Sequence, residues 1–197
     1  MLHVALNFLT FLTKRDLTSN KSSHKSSNKP SLKLKRAKYS DMSLVCDFIE
    51  SSSTWYEKFV EEKDMSEHRP GKAWIDKNFK RRDFYIGYQG EEPVGTISYQ
   101  DLTDEYAYLG YIYLDVDHVG KGFGKGLIDH AKSIAEEKDK RGMVLIAHPE
   151  ARWATKAYEK YGFERIARSR QNVLSWQNGA LEPYYEEGFE LYRYKLK

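Results

Sequence analysis

"VGKGFGKGL", residues 119–127, places glycine at 120, 122, 124 and 126, with lysine at 121 and 125. Glycine weakens a helix or strand interior by about 0.5–1 kcal/mol relative to alanine, so this density needs a reason. Upstream, "YAYLGYIYLDV" (106–116) is aromatic and β-branched, as in a long central strand. Downstream, Leu127, Ile128, Ala131, Ile134 and Ala135 recur at helical spacing, predicting an amphipathic helix that ends near "DKRG" (139–142). A strand, a glycine-dense turn and a helix start together make an anion seat. The first helical N–H groups are unpaired, the helix dipole is positive there, and glycine lets main chain approach phosphate oxygens.

Two familiar glycine signatures fail. A P-loop, GxxxxGK[ST], would need glycine at Val119 and a hydroxyl residue at Gly126. The dinucleotide fingerprint GxGxxG would need glycine at Lys125, or at Leu127 if it began at Gly122.

Working outward, the pattern alternates strands and helices. "SLKLKRA" (31–37) reads as a strand and "SDMSLVCDFIE" (40–50) as a helix capped by Ser40 or Asp41, with Leu44, Val45, Phe48 and Ile49 on one face. Residues 54–81 are helical with breaks, stopped at Pro70-Gly71. "DFYIGYQ" and "PVGTISYQDL" flank the turn "GEE" as a hairpin. "MVLIAH" (143–148) is a buried strand, and "ARWATKAYEKYG" (151–162) a helix closed by Gly162. "FERIARS" and "FELYRYKL" are the last strands, joined by a polar, aromatic connection at 169–188.

The chain has 197 residues, fifteen tyrosines, nine phenylalanines, four tryptophans and one cysteine, Cys46. A single cysteine excludes a disulfide framework and any CxxC metal pair, and fits a reducing compartment. The net charge is +3, but nine of the 32 basic residues and one of the 29 acidic ones fall within 1–40. The rest is mildly acidic, which removes the usual electrostatic support for nucleic-acid binding. "MLHVALNFLTFL" is too short to span a bilayer and lacks signal-peptide flanks, while "LTSNKSSHKSSNKP" (17–30) has little to bury. Residues 1–30 therefore read as a disordered basic Ser/Lys/Asn-rich extension, and 31–197 as one domain.

"LDVDHVGKGFGKGL" resembles the acetyl-CoA loop of the GNAT acyl-CoA N-acyltransferases. "AYEKYGFERI" is similar to that family's second signature, a helix ending in Tyr-Glu-Lys-x-Gly-Phe. The order of elements from Ser31 to Lys197 fits as well. The resemblance implies an α/β (α+β) fold with a mixed, mostly antiparallel central sheet of about seven strands, helices on both faces, and a splay between strands four and five. It implies an N-acetyltransferase with acetyl-CoA as co-substrate; the six histidines show no metal-ligand spacing, so no metal is expected. The main chain of Ile112, Tyr113 and Leu114 would pair with the pantetheine amides. Gly120, Lys121, Gly122, Phe123, Gly124 and Lys125 would hold the pyrophosphate, and Tyr158 would face the departing sulfur. Two positions depart from the family pattern: Val119 stands where it has Gln or Arg, and Ala151 where many members have asparagine.

The resemblance further implies a primary-amine acceptor on a small molecule, peptide or protein, with room for a homodimer, while charge balance, run length and cysteine usage point to no nucleic-acid or membrane partner and a cytoplasmic location. Ile146 stands where some members place a basic glutamate, leaving His148, Glu150 and Glu105 as candidate bases or a water chain. Trp55, Tyr56 and Trp74, with Trp176, Tyr184, Tyr185, Glu182, Glu186 and Glu187 of the 169–188 connection, suggest a cationic acceptor held by aromatic and ionic contacts. With the Gln/Arg, the asparagine and an evident base missing, a non-catalytic acyl-CoA-binding or sensor module is the alternative.

Overall fold

The computed structural model describes residues 32–197; the expected extension over 1–30 lies outside the described residues. Seven strands form one sheet: β1 (Leu32–Arg36), β2 (Asp83–Gln89), β3 (Glu92–Asp101), β4 (Tyr106–Leu114), β5 (Gly142–Ala147), β6 (Glu164–Ala167) and β7 (Glu190–Lys195). Their order is β1-β2-β3-β4-β5-β7-β6. Every neighbouring pair is antiparallel except β4 and β5. A parallel pair needs a crossover, and the helix after the glycine loop supplies it.

Among the described residues six helices flank the sheet: α1 (Met42–Ser51), α2 (Ser53–Tyr56), α3 (Lys72–Phe79), α4 (Phe123–Glu137), α5 (Arg152–Tyr161) and α6 (Arg170–Ser175). On one face, α4 buries Leu127, Ile128, Ala131 and Ala135 against Ile97, Leu109, Met143 and Leu145, and Tyr158 and Tyr161 of α5 join them. Each fully buried Leu or Ile is worth about 1.5–3 kcal/mol, so this face anchors the glycine loop from behind. On the other face, α1 and α3 pack Val45, Phe48, Ile49 and Trp74 on Phe84 and Ile86. Farther along, Val173 and Leu181 cover Val144 and Leu191.

Cys46 lies in the second of these clusters, where burial pushes its thiol up to about 11. Asp41 does not cap α1 as expected. Its carboxylate accepts from the Lys38 N–H at 2.8 Å and closes the short 3-10 turn ahead of the helix.

The ladder between β4 and β5 is short. Only Tyr106↔Gly142, Ala107↔Met143 and Tyr108↔Val144 pair. Beyond them β4 stays with β3 as far as Leu114↔Gly95, while β5 follows β7 to Ala147↔Glu190. The sheet therefore opens into a V, and the second half of β4 turns a free edge toward the gap.

A bulge in that half was not anticipated. Between Thr96↔Tyr113 and Ser98↔Gly110 the β4 side carries one extra residue, and Tyr111 takes a left-handed φ of 47°. The extra residue reverses the alternation. Ala107 and Leu109 face α4 before it, Ile112 and Leu114 after it, so Tyr111 and Tyr113 both emerge on the α1/α3 face. A left-handed tyrosine costs about 1–3 kcal/mol and persists only when its surroundings fix it. Here the ring stands edge-on to Trp74 with centroids 4.8 Å apart, and the hydroxyl donates to Glu67.

Candidate active site

The four glycines differ in purpose. Gly120 and Gly122 have φ of +83° and +89°, and nothing lies within 4 Å of where a Cβ would stand on either. They are conformational glycines in open space, and Gly122 is the N-cap of α4 with no side chain closing it. Gly126 is a packing glycine, since a Cβ there would meet Leu32 Cδ2 at 2.8 Å. Gly124 is nearly unconstrained; its closest neighbour would be Leu114 at 3.8 Å.

The first turn of α4 has no side-chain cap and lines an open groove, with the positive end of the helix dipole behind it. Lys121 is exposed beside it, whereas Lys125 is drawn back along the helix, with its Nζ 2.6 Å from Asp129 Oδ2. A diphosphate fits this cradle, and Lys121 is the lysine better placed for it.

The loop forms one end of a groove of about 1240 Å³. Ile112, Tyr113 and Leu114 line it on the β4 side, Ala157 and Tyr158 on the α5 side, and Gly120–Lys125 at the loop. All ten residues expected to bind cofactor or catalyse therefore border one cavity. Trp55 and Trp153 meet edge-on at its wall, ring centroids 5.4 Å apart. Burial raises the Tyr158 phenol far above its ordinary range, so it remains a hydrogen-bond donor at any physiological pH.

Through the V the groove meets a second pocket of about 180 Å³, and Tyr56, Ile112, Tyr113, Ala154 and Tyr158 border both. A hydrogen-bonded chain runs along this pocket. Tyr113 Oη lies 3.0 Å from His68 Nδ1, and His68 Nε2 lies 2.9 Å from Glu186 Oε2. A carboxylate only accepts, so Nε2 carries the imidazole proton and Nδ1 accepts from the tyrosine. The His68 ring stacks on Tyr56, centroids 4.3 Å apart, and is 3% exposed. Burial raises Glu186, with His68 pulling the other way.

His68 was not among the candidate bases. Its partners stand 45 and 118 positions away, so no spacing in the chain announces it. Of the three named candidates, Glu105 pairs with Arg141 at the far end of β4, and Glu150 sits beside Arg152 on the surface. His148 does line the pocket, but its Nδ1 accepts from the Glu150 N–H at 3.2 Å and its ring stacks on Phe59. Burial also lowers its proton affinity.

The acidic residues expected to receive the acceptor are likewise separated. Glu182 is exposed and Glu187 pairs with Arg170 at 2.9 Å, so only Glu186 of the three borders the pocket. Trp74 donates to Glu67 at 2.8 Å, and Trp176 packs edge-on to Tyr106. Among the described residues no group of three or more His, Cys, Asp or Glu is placed to hold a metal, and no helix is long and apolar enough to cross a membrane.

A splayed β4/β5 pair with a glycine loop leading into the following helix is matched in sequence as well as in shape. The sequence model of the Acetyltransferase (GNAT) family fits residues 47–163, more than half of the chain. The chain belongs to the GNAT family.

Solved members of the family overlay the fold closely. A GNAT-family acetyltransferase from Staphylococcus aureus Mu50 superposes with a TM-score of 0.65 at 18% identity, covering 85% of this chain and all of that one. The PaiA N-acetyltransferase from Thermoplasma acidophilum, determined in complex with coenzyme A, gives 0.64 at 16% identity over 84% of this chain and 99% of the other. In sequence, this GNAT chain is 37% identical over 86 residues to the holothin acyltransferase of Pseudoalteromonas sp. (strain SANK 73390). That stretch is 44% of this chain and spans about a quarter of the relative's length, 27%.

Proposed function

We propose that this GNAT chain transfers an acetyl group from acetyl-CoA to a primary amine, on a small molecule, peptide or protein, by direct attack in a ternary complex. The observation that carries the reading is the meeting of two cavities at the V. One is bordered by the glycine loop, the free β4 edge and Tyr158, the other by the Tyr113–His68–Glu186 chain. The coenzyme A described with the Thermoplasma structure and the acyl transfer named for the holothin relative support it.

In this reading the main chain of Ile112–Leu114 takes the pantetheine amides as an added strand. Gly120–Lys125 takes the pyrophosphate on its amides, with Lys121 adding charge. Acetyl-CoA supplies the activated acyl group. Holding both reactants at the V contributes much of the acceleration. An amine of pKa ~10 is mostly protonated at pH 7, so the reacting fraction is small and its remaining proton needs an acceptor. As the C–N bond forms, that proton passes to Tyr113 Oη while the Tyr113 proton moves to His68 Nδ1. The resulting imidazolium faces Glu186. As the C–S bond breaks, the Tyr158 phenol keeps its proton and donates a hydrogen bond that stabilises the departing thiolate.

Thiol release from acetyl-CoA against a panel of primary amines tests the proposal. Release with at least one amine, together with an N-acetylated product by mass spectrometry, is expected. Coenzyme A binding with no release for any amine would overturn it in favour of the sensor reading.

A further inference from the structure

Arg82, immediately before β2, occupies the place where a cationic acceptor was expected. Its guanidinium stands over three tyrosine rings that border or back the pocket: Tyr111 at 4.7 Å, Tyr184 at 4.9 Å and Tyr108 at 5.2 Å. A second cation, Arg81, covers Tyr184 at 5.4 Å. The aromatic cage is therefore already filled by the protein's own positive charge, and a further ammonium there would meet repulsion.

The acids of the pocket are committed elsewhere. Glu67 receives Lys77, Trp74 and Tyr111; Glu186 receives His68; Asp64 accepts the Glu187 N–H at 3.1 Å. Among the described residues neither Arg81 nor Arg82 has a carboxylate within ion-pair distance.

Stacking on rings screens the charge of a guanidinium but uses none of its in-plane N–H donors. Arg82 Nε is buried and has no acceptor, an arrangement native interiors rarely leave. The backbone makes room for this head group: a Cβ at Gly110 would stand 2.5 Å from Arg82 Nη1. The same Cβ would be 3.2 Å from Ser98 Oγ, a second buried polar atom with no partner. A pocket of about 180 Å³ thus presents a fork-shaped cation at one part of its lining and a His–carboxylate proton acceptor at another.

We propose that the acceptor carries a carboxylate on the same small molecule as its reacting amine, and that Arg82 receives that carboxylate while the amine meets Tyr113 at the V. This rests on the amine-acetylation reading above and names its substrate class: a small amino acid or a compound with the same two groups. Arg82 binds and orients; it takes no part in the proton transfers.

The test compares a series of free amino acids, with amine and carboxylate one to four carbons apart, each against its own amide. The amide keeps size and amine but loses the negative charge. In the unaltered protein at least one acid should exceed its amide by about tenfold or more in kcat/KM, the range for a hydrogen bond to a charged group. In Arg82→Met the ratio should fall to about one. Arg82→Lys, which keeps the charge and loses the fork, should lie between them. Coenzyme A affinity by calorimetry reports whether each variant has folded.

Amides preferred by the unaltered protein, or a ratio that survives in Arg82→Met, would overturn the proposal while leaving acetyl transfer standing. If no amine releases thiol although coenzyme A binds, the transfer reading has failed, and the carboxylate site is then read by binding alone. Phenylacetate, titrated into the coenzyme A-saturated protein and followed by intrinsic fluorescence, should bind and should lose that binding in Arg82→Met. No binding to the unaltered protein would overturn it.

Discussion

The two cavities that meet at the V are built on opposite principles. At its loop and β4 side the larger is built on main chain: an open strand edge, a helix start with no side-chain cap, and two glycines in left-handed conformation. The smaller is made of side chains brought together from residues 56–82, 108–113, 145–158 and 183–189. A main-chain site tolerates exchange of most side chains and suits a ligand common to a whole family. A side-chain site changes with each substitution, and suits the partner that distinguishes one member from another.

If the contrast holds, His68→Ala should produce the largest effect. It should lower kcat by about a hundredfold or more, in the range of a lost general base, while coenzyme A affinity by calorimetry stays where it was. A parallel loss of affinity would mean that the two cavities are one unit. Gly122→Val probes the other side. A β-branched residue at φ +89° is strained by about 1–3 kcal/mol, so coenzyme A should bind roughly tenfold or more weakly. Tyr158→Phe, at the border of both cavities, should cut turnover about tenfold with little change in affinity, and an unchanged rate would remove Tyr158 from the chemistry.

The legible part of the molecule was the main-chain part. Glycine spacing, apolar periodicity and turn residues are local signals, and they were enough for the succession of strands and helices along the chain and for the loop at Gly120–Lys125, while Ile112–Leu114 and Tyr158 came from the family resemblance. His68 and Arg82 carry no local signal, and Glu186, singled out for the acceptor, carried none for its pairing with His68. "SEHRPG" and "KRRD" read as surface sequence, and their contacts depend on how α3 and the 169–188 connection settle on β4. The bulge at Tyr111 was equally hidden, because an unbroken run of β-formers gives no sign of an inserted residue. The capping of α1 by Asp41 failed for a related reason: a nearer N–H competed for the same carboxylate.

Two smaller effects sharpen the contrast. Burial alone would raise Glu67, but hydrogen bonds from Tyr111, Lys77 and Trp74, with the Lys77 charge, outweigh it and hold the carboxyl below its usual range. A carboxyl held low in the folded state contributes stability above its unfolded pKa, about 4.3, and that contribution is lost as pH falls through the folded value. Glu67→Gln should therefore show a shallower fall in Tm between about pH 5 and pH 3 than the unaltered protein. Gly126→Ala should be milder still. The atom in the way is the tip of the Leu32 side chain, so a cost under about 1 kcal/mol and an unchanged coenzyme A affinity are expected.

The extra residue in β4 has a consequence for how such a protein diversifies. After the bulge, one set of alternate positions, Ile112 and Leu114, is held by the packing of α4, while Tyr111 and Tyr113 line the smaller pocket. Changes on the second side leave the first undisturbed, within the limit that the Tyr113–His68 contact sets. A single strand thereby serves as a fixed rail on one side and an interchangeable keyway on the other, and a laboratory seeking a new acceptor would begin with Tyr111 and Arg82.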